Sequence, residues 1–88
     1  NITVKKIVNI LKNYYKNDFF IKIHKPNTQI GTGSVIETNN CDISVCQTRL
    51  KNKIVIFSSI DNLIKGGAGQ AIQNMNILYN FKETYGLK

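Results

Sequence analysis

The amino-acid sequence predicts an α+β fold, in which two helices pack on one face of a mainly antiparallel sheet. Apolar residues recur at helical spacing near both ends of the chain, and segments of alternating or β-branched residues lie between them. Hydrophobic residues make up 42% of the 88 residues and charged residues 19%, a globular composition. A chain of this length holds one domain at most, so residues 1–88 are treated as one unit.

The first helix is predicted over Thr3 to Lys16. Its apolar positions recur every three or four residues, with lysines and asparagines opposite, and include Val4, Ile7, Val8 and Leu11. From Phe19 to Ile23 apolar and polar residues mostly alternate, which predicts a half-buried strand. Pro26 closes this strand because proline cannot donate a hydrogen bond to a neighbouring strand.

The middle and end of the chain predict a loop, a hairpin and a second helix. A polar, glycine-bearing loop is predicted over Asn27 to Gly33, followed by a short extended stretch over Ser34 to Glu37. Two strand-like segments, Cys41 to Cys46 and Lys53 to Phe57, predict an antiparallel hairpin. Apolar residues at helical spacing from Ile64 to Tyr79 predict the second helix.

The charge of the chain restricts its partners only weakly. Twelve basic and five acidic side chains give a net charge of +7, which favours anions such as nucleic acid, anionic lipid or phosphorylated ligands. The basic residues are scattered, and all but Arg49 are lysines, whereas base recognition in DNA favours arginine. We therefore do not expect nucleic-acid binding. The sequence has no secretory signal and no apolar run that could span a membrane, so a soluble, cytoplasmic protein is expected.

Neither the cysteines nor the histidine form a predicted catalytic or metal site. Cys41 and Cys46 are five residues apart, so on one strand they point to opposite faces and cannot share a metal ion or a disulfide. We expect two reduced, partly buried thiols. His24 lies between lysines on the first strand, where a surface histidine is the better interpretation.

The most distinctive segment runs from Asp61 to Asn76, where a glycine-rich turn opens the second helix. Small residues at a helix start allow a ligand, a phosphate or another backbone to come close. The segment has neither the phosphate-binding Gly-Lys-Ser/Thr ending nor a Gly-x-Gly-x-x-Gly dinucleotide motif. From the residues alone, a ligand site and tight helix packing remain equally open.

Four blocks of the chain resemble one enzyme family. Asp61 to Asn76, with its Gly-Gln-Ala and Gln-Asn-Met-Asn, resembles the closing signature of the N-acetyl-gamma-glutamyl-phosphate reductases, and Glu83 to Leu87 resembles their Glu-Thr-x-Gly-Leu ending. Phe19 to Ile23 and Asn39 to Ile43 match in register. The chain departs from the family at Thr32 to Glu37, where the usual Thr-Lys is missing, so anion binding there is not carried over.

The resemblance implies a C-terminal portion of a reductase, a partial domain from the dehydrogenase C-terminal catalytic and dimerisation region. Such enzymes reduce N-acetylglutamyl phosphate to the semialdehyde with NADPH and release phosphate in arginine biosynthesis. The cysteine nucleophile, the catalytic histidine and the N-terminal dinucleotide-binding domain would lie outside these residues, so no catalytic residue is assigned and the isolated chain is expected to be inactive. A homo-oligomer is expected.

The same resemblance suggests which residues contact the cofactor. Gln70 is the candidate for a hydrogen bond to the nicotinamide carboxamide, and the cofactor would approach closely at Gly66, Gly67, Ala68 and Gly69. Lys65 would attract a substrate or cofactor phosphate, and no metal site is expected. Two alternatives stay open: a relative of aspartate-semialdehyde dehydrogenase, which has a similar Asp-Asn-Leu-x-Lys-Gly turn, and a stand-alone basic binding or structural module.

Overall fold

The computed structural model describes residues 3–31, 33, 35–50 and 53–88. In chain order its elements are α1 (Val4–Tyr14), β1 (Ile21–Ile23), β2 (Cys41–Gln47), β3 (Ile54–Ile60), a π-helical turn (Ile64–Ala68) and α2 (Gly69–Leu78). The strands form a sheet in the order β1-β2-β3. The β1 strand pairs with β2 in parallel, and β2 pairs with β3 in the longer, antiparallel ladder. The prediction of an α+β fold with two helices is confirmed, with a mixed sheet.

Helix α1 packs on one face of the sheet. Thr3 caps the helix, its side-chain oxygen accepting a hydrogen bond from the Lys6 N–H at 3.2 Å. Val4 and Val8 are buried against Val45 of β2, at about 2 kcal/mol of stabilisation for each fully buried valine. The partly buried side chains that pack around them come from α1, β1 and β3: Ile7, Leu11, Ile23 and Ile54.

The loop after β1 covers part of the opposite face. The carbonyl of Thr28 accepts a hydrogen bond from the Ser44 hydroxyl of β2, and the carbonyl of Gly31 accepts one from the Ser59 hydroxyl of β3 at 2.9 Å. Ser44 is buried, as is Asp42, which lies two residues earlier on the same face of β2. The sequence predicted a loop here, and the structure shows that it crosses the sheet.

The prediction of an extended stretch over Ser34 to Glu37 is wrong for Val35 to Glu37. Ser34 lies outside the described residues, and Val35 to Glu37 form a turn. The N–H of Thr38 donates to the carbonyl of Val35 at 2.9 Å, and Glu37 has a φ of 61°. Val35 is fully buried, so burial of its side chain and the local hydrogen bond favour the turn.

The first strand is shorter than predicted. Phe19 and Phe20 form a turn before β1, with their rings edge to face at 5.1 Å. Phe20 is buried, whereas 64% of Phe19 is exposed.

In the described part of the chain, no helix has the length and apolar character needed to cross a membrane.

Candidate functional site

Asp61 fixes the start of the glycine-rich segment. Its carboxylate accepts hydrogen bonds from the N–H groups of Glu37 and Leu63, each at 2.9 Å. The bond from Glu37, followed by that from Leu63, holds the pKa of Asp61 below its usual value. Burial opposes this shift, and the N–H of Ile64 adds to it least. The carboxylate thus joins the turn at Glu37 to the segment that follows β3.

The segment then forms a π-helical turn that continues into α2. The carbonyl of Asp61 accepts hydrogen bonds from the N–H groups of Lys65 at 2.9 Å and Gly66 at 3.3 Å, and Ala68 donates to Leu63 at 3.2 Å. Gly69 donates to Ile64, one residue beyond α-helical spacing. Because these N–H groups bond within the chain, the π-helical turn and the first residue of α2 do not offer them to a ligand. A ligand here would meet the surface of the turn rather than a row of free N–H donors.

The small residues of the turn differ in what surrounds them. Gly66, Gly67 and Ala68 are exposed, and a Cβ added to Gly67 would come no closer than 3.7 Å to the carbonyl oxygen of Asn62. Gly69 is buried, and its added Cβ would lie 2.5 Å from Asn39 Oδ1 and 2.7 Å from the carbonyl oxygen of Ile64. Gly69 is therefore needed for close packing. An added Cβ at Gly66 would lie 2.7 Å from Asn62 Oδ1, while Gly67 and Ala68 leave an accessible surface.

Gln70 lies directly after this surface. Its side chain is half-buried, and its Nε2 donates to Asn74 Oδ1 on the next turn of α2 at 3.2 Å. A cavity of about 350 Å³ opens beside the same turn. It is lined by Glu37, Ile64, Ala68, Gly69, Ile72 and Gly86 to Lys88. Of the predicted cofactor residues, Ala68 and Gly69 line this cavity, and their contact with a cofactor remains a prediction.

Lys65 points toward the interior of the chain. Its Nζ donates to Gln73 Oε1 at 2.6 Å and lies 5.3 Å from the centre of the Phe20 ring. Partial burial lowers the pKa of the ammonium, an effect that Cys41 and Glu83 partly oppose. Lys65 lines a second cavity of about 210 Å³ together with the carboxylates Asp18 and Glu83. A phosphate at this point would meet both carboxylates, and the predicted phosphate contact remains a prediction.

The two cysteines lie on β2, and the histidine directly follows β1. Cys41 and Cys46, both within the described residues, are free and half-buried. Burial raises the pKa of the Cys41 thiol; Lys65 opposes this shift, and Asp42 adds to it. Such a thiol is mostly protonated and weakly nucleophilic near neutral pH. No group of three or more histidine, cysteine, aspartate or glutamate side chains suited to a metal ion occurs in the residues that the structure describes.

His24 is less exposed than the sequence suggested. Its Nε2 lies 3.0 Å from Asp42 Oδ2, and the two side chains are 29% and 2% exposed. The parallel pairing of β1 with β2 brings together residues that are 18 positions apart. Sequence spacing gave no signal for this contact.

Sequence reasoning also missed a polar network beneath the glycine-rich turn. Gln73 bonds to Asn39, Lys65 and Glu83, and Asn76 Nδ2 donates to the carbonyls of Glu83 at 3.0 Å and Tyr85 at 2.9 Å. Gln73 and Asn76 are both buried. Their separation of three residues places them on one helix face, and two amides on an inward face were an available signal.

Comparison with protein families assigns the domain. Residues 1–62 match the model described as "Semialdehyde dehydrogenase, dimerisation domain". The chain belongs to this family. The dimerisation domain is also similar over its whole length to individual enzymes named N-acetyl-gamma-glutamyl-phosphate reductase, and this likeness includes the glycine-rich turn that follows residue 62.

The identities to these relatives are substantial. The enzyme of Karelsulcia muelleri (strain GWSS) is 49% identical over 88 residues, which are 100% of this chain and 26% of the relative. That of Methanosphaera stadtmanae is 41% identical over 88 residues, with the same two shares of 100% and 26%. That of Listeria monocytogenes serotype 4b (strain F2365) is 44% identical over 87 residues, or 99% of this chain and 25% of the relative. The chain spans about a quarter of the length of the relatives it matches.

Proposed function

We propose that this dimerisation domain is part of an N-acetyl-gamma-glutamyl-phosphate reductase, in which it joins two subunits and presents the Gly66 to Gln70 segment to the cofactor. The observation that carries the proposal is the likeness to such reductases over the whole chain, at up to 49% identity among the relatives described. The exposed turn supports it, since its accessible surface lies inside the matched region.

The reaction is the NADPH-dependent reduction of N-acetylglutamyl phosphate to N-acetylglutamate semialdehyde with release of phosphate. The remainder of the polypeptide supplies the thiol nucleophile, the histidine and the dinucleotide-binding domain. The raised pKa of Cys41 agrees with this division, because a thioester-forming cysteine requires a thiolate. Cytoplasmic localisation is part of the proposal.

The described residues fit one end of the cofactor. Gln70 offers an amide that can bond to another amide, and the bare backbone of Gly67 allows an aromatic ring to approach. The N–H groups of Lys65, Gly66, Ala68 and Gly69 are already bonded within the chain, so the pyrophosphate belongs elsewhere. When bound, NADPH supplies the hydride, and this chain orients its nicotinamide end.

The surface that joins the subunits is proposed to lie along β3. This strand is at the edge of the described sheet, and its apolar side chains Val55, Ile56 and Phe57 are exposed. An exposed apolar edge strand favours association with another protein surface. A second copy of the chain is the proposed occupant, in keeping with the family to which the domain belongs.

The proposed activity is tested by comparing two substrates on the complete polypeptide that carries this sequence. Reduction is followed by NADPH absorbance with N-acetylglutamyl phosphate and with aspartyl phosphate. We expect a kcat/KM that favours the acetylated substrate by at least about a hundredfold, since a site built for one polar group strongly rejects an analogue lacking it. Preference for aspartyl phosphate would instead support the aspartate-semialdehyde dehydrogenase alternative, and turnover of neither would support a binding or structural module.

A further inference from the structure

The side-chain amide of Gln73 joins three parts of the chain. Gln73 lies on α2 and is 9% exposed. Its Oε1 accepts hydrogen bonds from Asn39 Nδ2 at 2.7 Å and Lys65 Nζ at 2.6 Å, and its Nε2 donates to Glu83 Oε2 at 2.6 Å. The chemistry of the partners fixes the orientation of the amide, because an ammonium group only donates and a carboxylate only accepts.

These bonds hold the glycine-rich turn from both sides. Lys65 directly precedes Gly66, and Gln73 follows Gln70 by three residues, so a contact between Lys65 and Gln73 encloses the whole segment. Asn39 lies just before β2, and its bond to Gln73 ties the segment to the sheet. Glu83 ties it to the tail after α2. The position of Gln73 therefore determines where the segment lies relative to the sheet.

The side-chain amide of Gln73 bridges the charged groups of Lys65 and Glu83. In the part of the chain that the structure describes, no ion pair joins Lys65 directly to a carboxylate. The ammonium and the carboxylate instead bind opposite ends of Gln73, and hydrogen bonds to charged groups are among the stronger ones. A glutamate at this position would have no hydrogen to donate to Glu83 and would place two carboxylates side by side.

We propose that Gln73 is a positioning residue for the cofactor: by bonding to Lys65, Glu83 and Asn39 it fixes the surface that Gly66 to Gln70 present to the nicotinamide. The inference rests on the proposed reductase function. Gln73 itself is buried, and both ends of its side-chain amide are bonded within the chain. Its effect passes through the turn that it holds.

The test uses three variants of the complete polypeptide. Gln73→Glu keeps the length of the side chain and removes the donor to Glu83. The double variant Gln73→Glu/Glu83→Gln restores it, because the new amide at position 83 can donate to the new carboxylate, which still accepts from Lys65 and Asn39. Gln29→Glu makes the same change in charge on an exposed loop residue and serves as the matched control.

Two measurements are made on each variant without turnover. Hydrogen exchange of the backbone amides of residues 65–70 in the cofactor-free protein reports how firmly the turn is held. Titration of NADPH fluorescence gives the Kd of the cofactor. Gln73→Glu is expected to accelerate exchange and to raise the Kd, each by about tenfold, which is the effect of losing one hydrogen bond to a charged group. The double variant is expected to recover both, and Gln29→Glu to change neither.

The outcomes separate this inference from the proposed function. Unchanged exchange and Kd in Gln73→Glu would overturn the positioning role, as would a double variant no better than the single one. If Gln73→Glu does not fold, Gln73→Met, which removes the bonds without burying a second carboxylate, must show the faster exchange and weaker binding. Wild-type protein that binds no NADPH would contradict the proposed function, while the exchange measurement would still decide whether Gln73 holds the turn.

Discussion

Gly69 is the residue whose replacement the structure tolerates least within the glycine-rich turn. A methyl group there would lie 2.5 Å from Asn39 Oδ1, 2.6 Å from Ile64 Cγ2 and 2.7 Å from the Ile64 carbonyl oxygen. We expect Gly69→Ala to lower the free energy of unfolding by about 1–3 kcal/mol, because the backbone must shift to admit the new group. Urea unfolding of the purified protein measures this change.

Gly31 provides the matched control for that substitution. Apart from its chain neighbours, no atom of the described residues lies within 4 Å of an added Cβ at this exposed position. Gly31→Ala should change the free energy of unfolding by less than about 0.5 kcal/mol. Equal losses for the two variants would show that close packing at Gly69 is not responsible.

Gln70 tests the cofactor contact separately from stability. Its observed hydrogen bond is to Asn74 of the same helix, so Gln70→Ala should leave the melting temperature nearly unchanged. We expect the KM for NADPH to rise about threefold to tenfold, as one neutral hydrogen bond is lost. Steady-state kinetics of the complete enzyme decide, with Gln29→Ala as an exposed control. An unchanged KM would remove Gln70 from the cofactor site.

Asp61 predicts a dependence of stability on pH. Its folded pKa is lowered chiefly by the N–H of Glu37, so the ionised carboxylate stabilises the folded state. This contribution is fully present above the pKa of the unfolded chain and is lost as the pH falls through the lower, folded pKa. Urea unfolding between about pH 5 and pH 2 should therefore show a smaller loss of stability for Asp61→Asn than for wild type. Equal losses of stability with falling pH in wild type and Asp61→Asn would contradict this role. Asp18→Asn is the control.

At the scale of the element, β3 carries the proposed subunit contact. Ile56 on this strand is 58% exposed, and Ile10 on the outer side of α1 is 64% exposed. Ile56→Asp is expected to weaken self-association by at least about tenfold, because it buries a charge in an apolar contact. Sedimentation velocity over a range of protein concentrations measures the dimer Kd.

The matched variant Ile10→Asp distinguishes a specific interface from a general effect of added charge. It introduces an aspartate at a similarly exposed position on the outer side of α1 instead of on β3. It should leave the dimer Kd unchanged. Equal dimer Kd values for the two aspartate variants would place the contact elsewhere.

Local patterns predicted the elements better than their arrangement. The periodicity of residues Val4 to Tyr14 reflects burial on one side of α1, and the alternation of apolar and polar residues in Cys41 to Cys46 marked a strand, although β2 is buried on both faces. The parallel pairing of Ile21 with Cys41 joins residues far apart in the chain and leaves no local pattern. The turn at Glu37 was missed because its positive φ occurs without glycine.

For the candidate site, too, the sequence indicated local features but not the contacts between elements. The small residues Gly66 to Ala68 were recognisable because they leave a turn without side-chain cover. The bonds that hold this turn connect Gln73 with Asn39 and Glu83, which lie on separate elements. Such bonds depend on the fold, so the sequence could mark Gln73 as an inward-facing amide but not name its partners.

At the scale of the whole molecule, the chain is more extended than a compact domain of its length. Its radius of gyration is 14.7 Å and its extents are 45 × 24 × 15 Å, whereas a compact domain of this length has a radius of gyration of about 12 Å. Large apolar side chains are exposed on β3 and around the end of α2, among them Ile56, Leu78, Tyr79 and Phe81. These surfaces suit the proposed contacts with a second subunit and with other parts of a larger polypeptide.

The most direct test of the central claim is the intact mass of the native polypeptide that carries this sequence, read beside NADPH-dependent reduction of N-acetylglutamyl phosphate in the same purified fraction. The proposal predicts a mass several times the 10.0 kDa of these residues, together with activity, and no turnover by the 88-residue chain alone. A native species near 10.0 kDa without reductase activity would contradict it and identify a separate subunit or binding module.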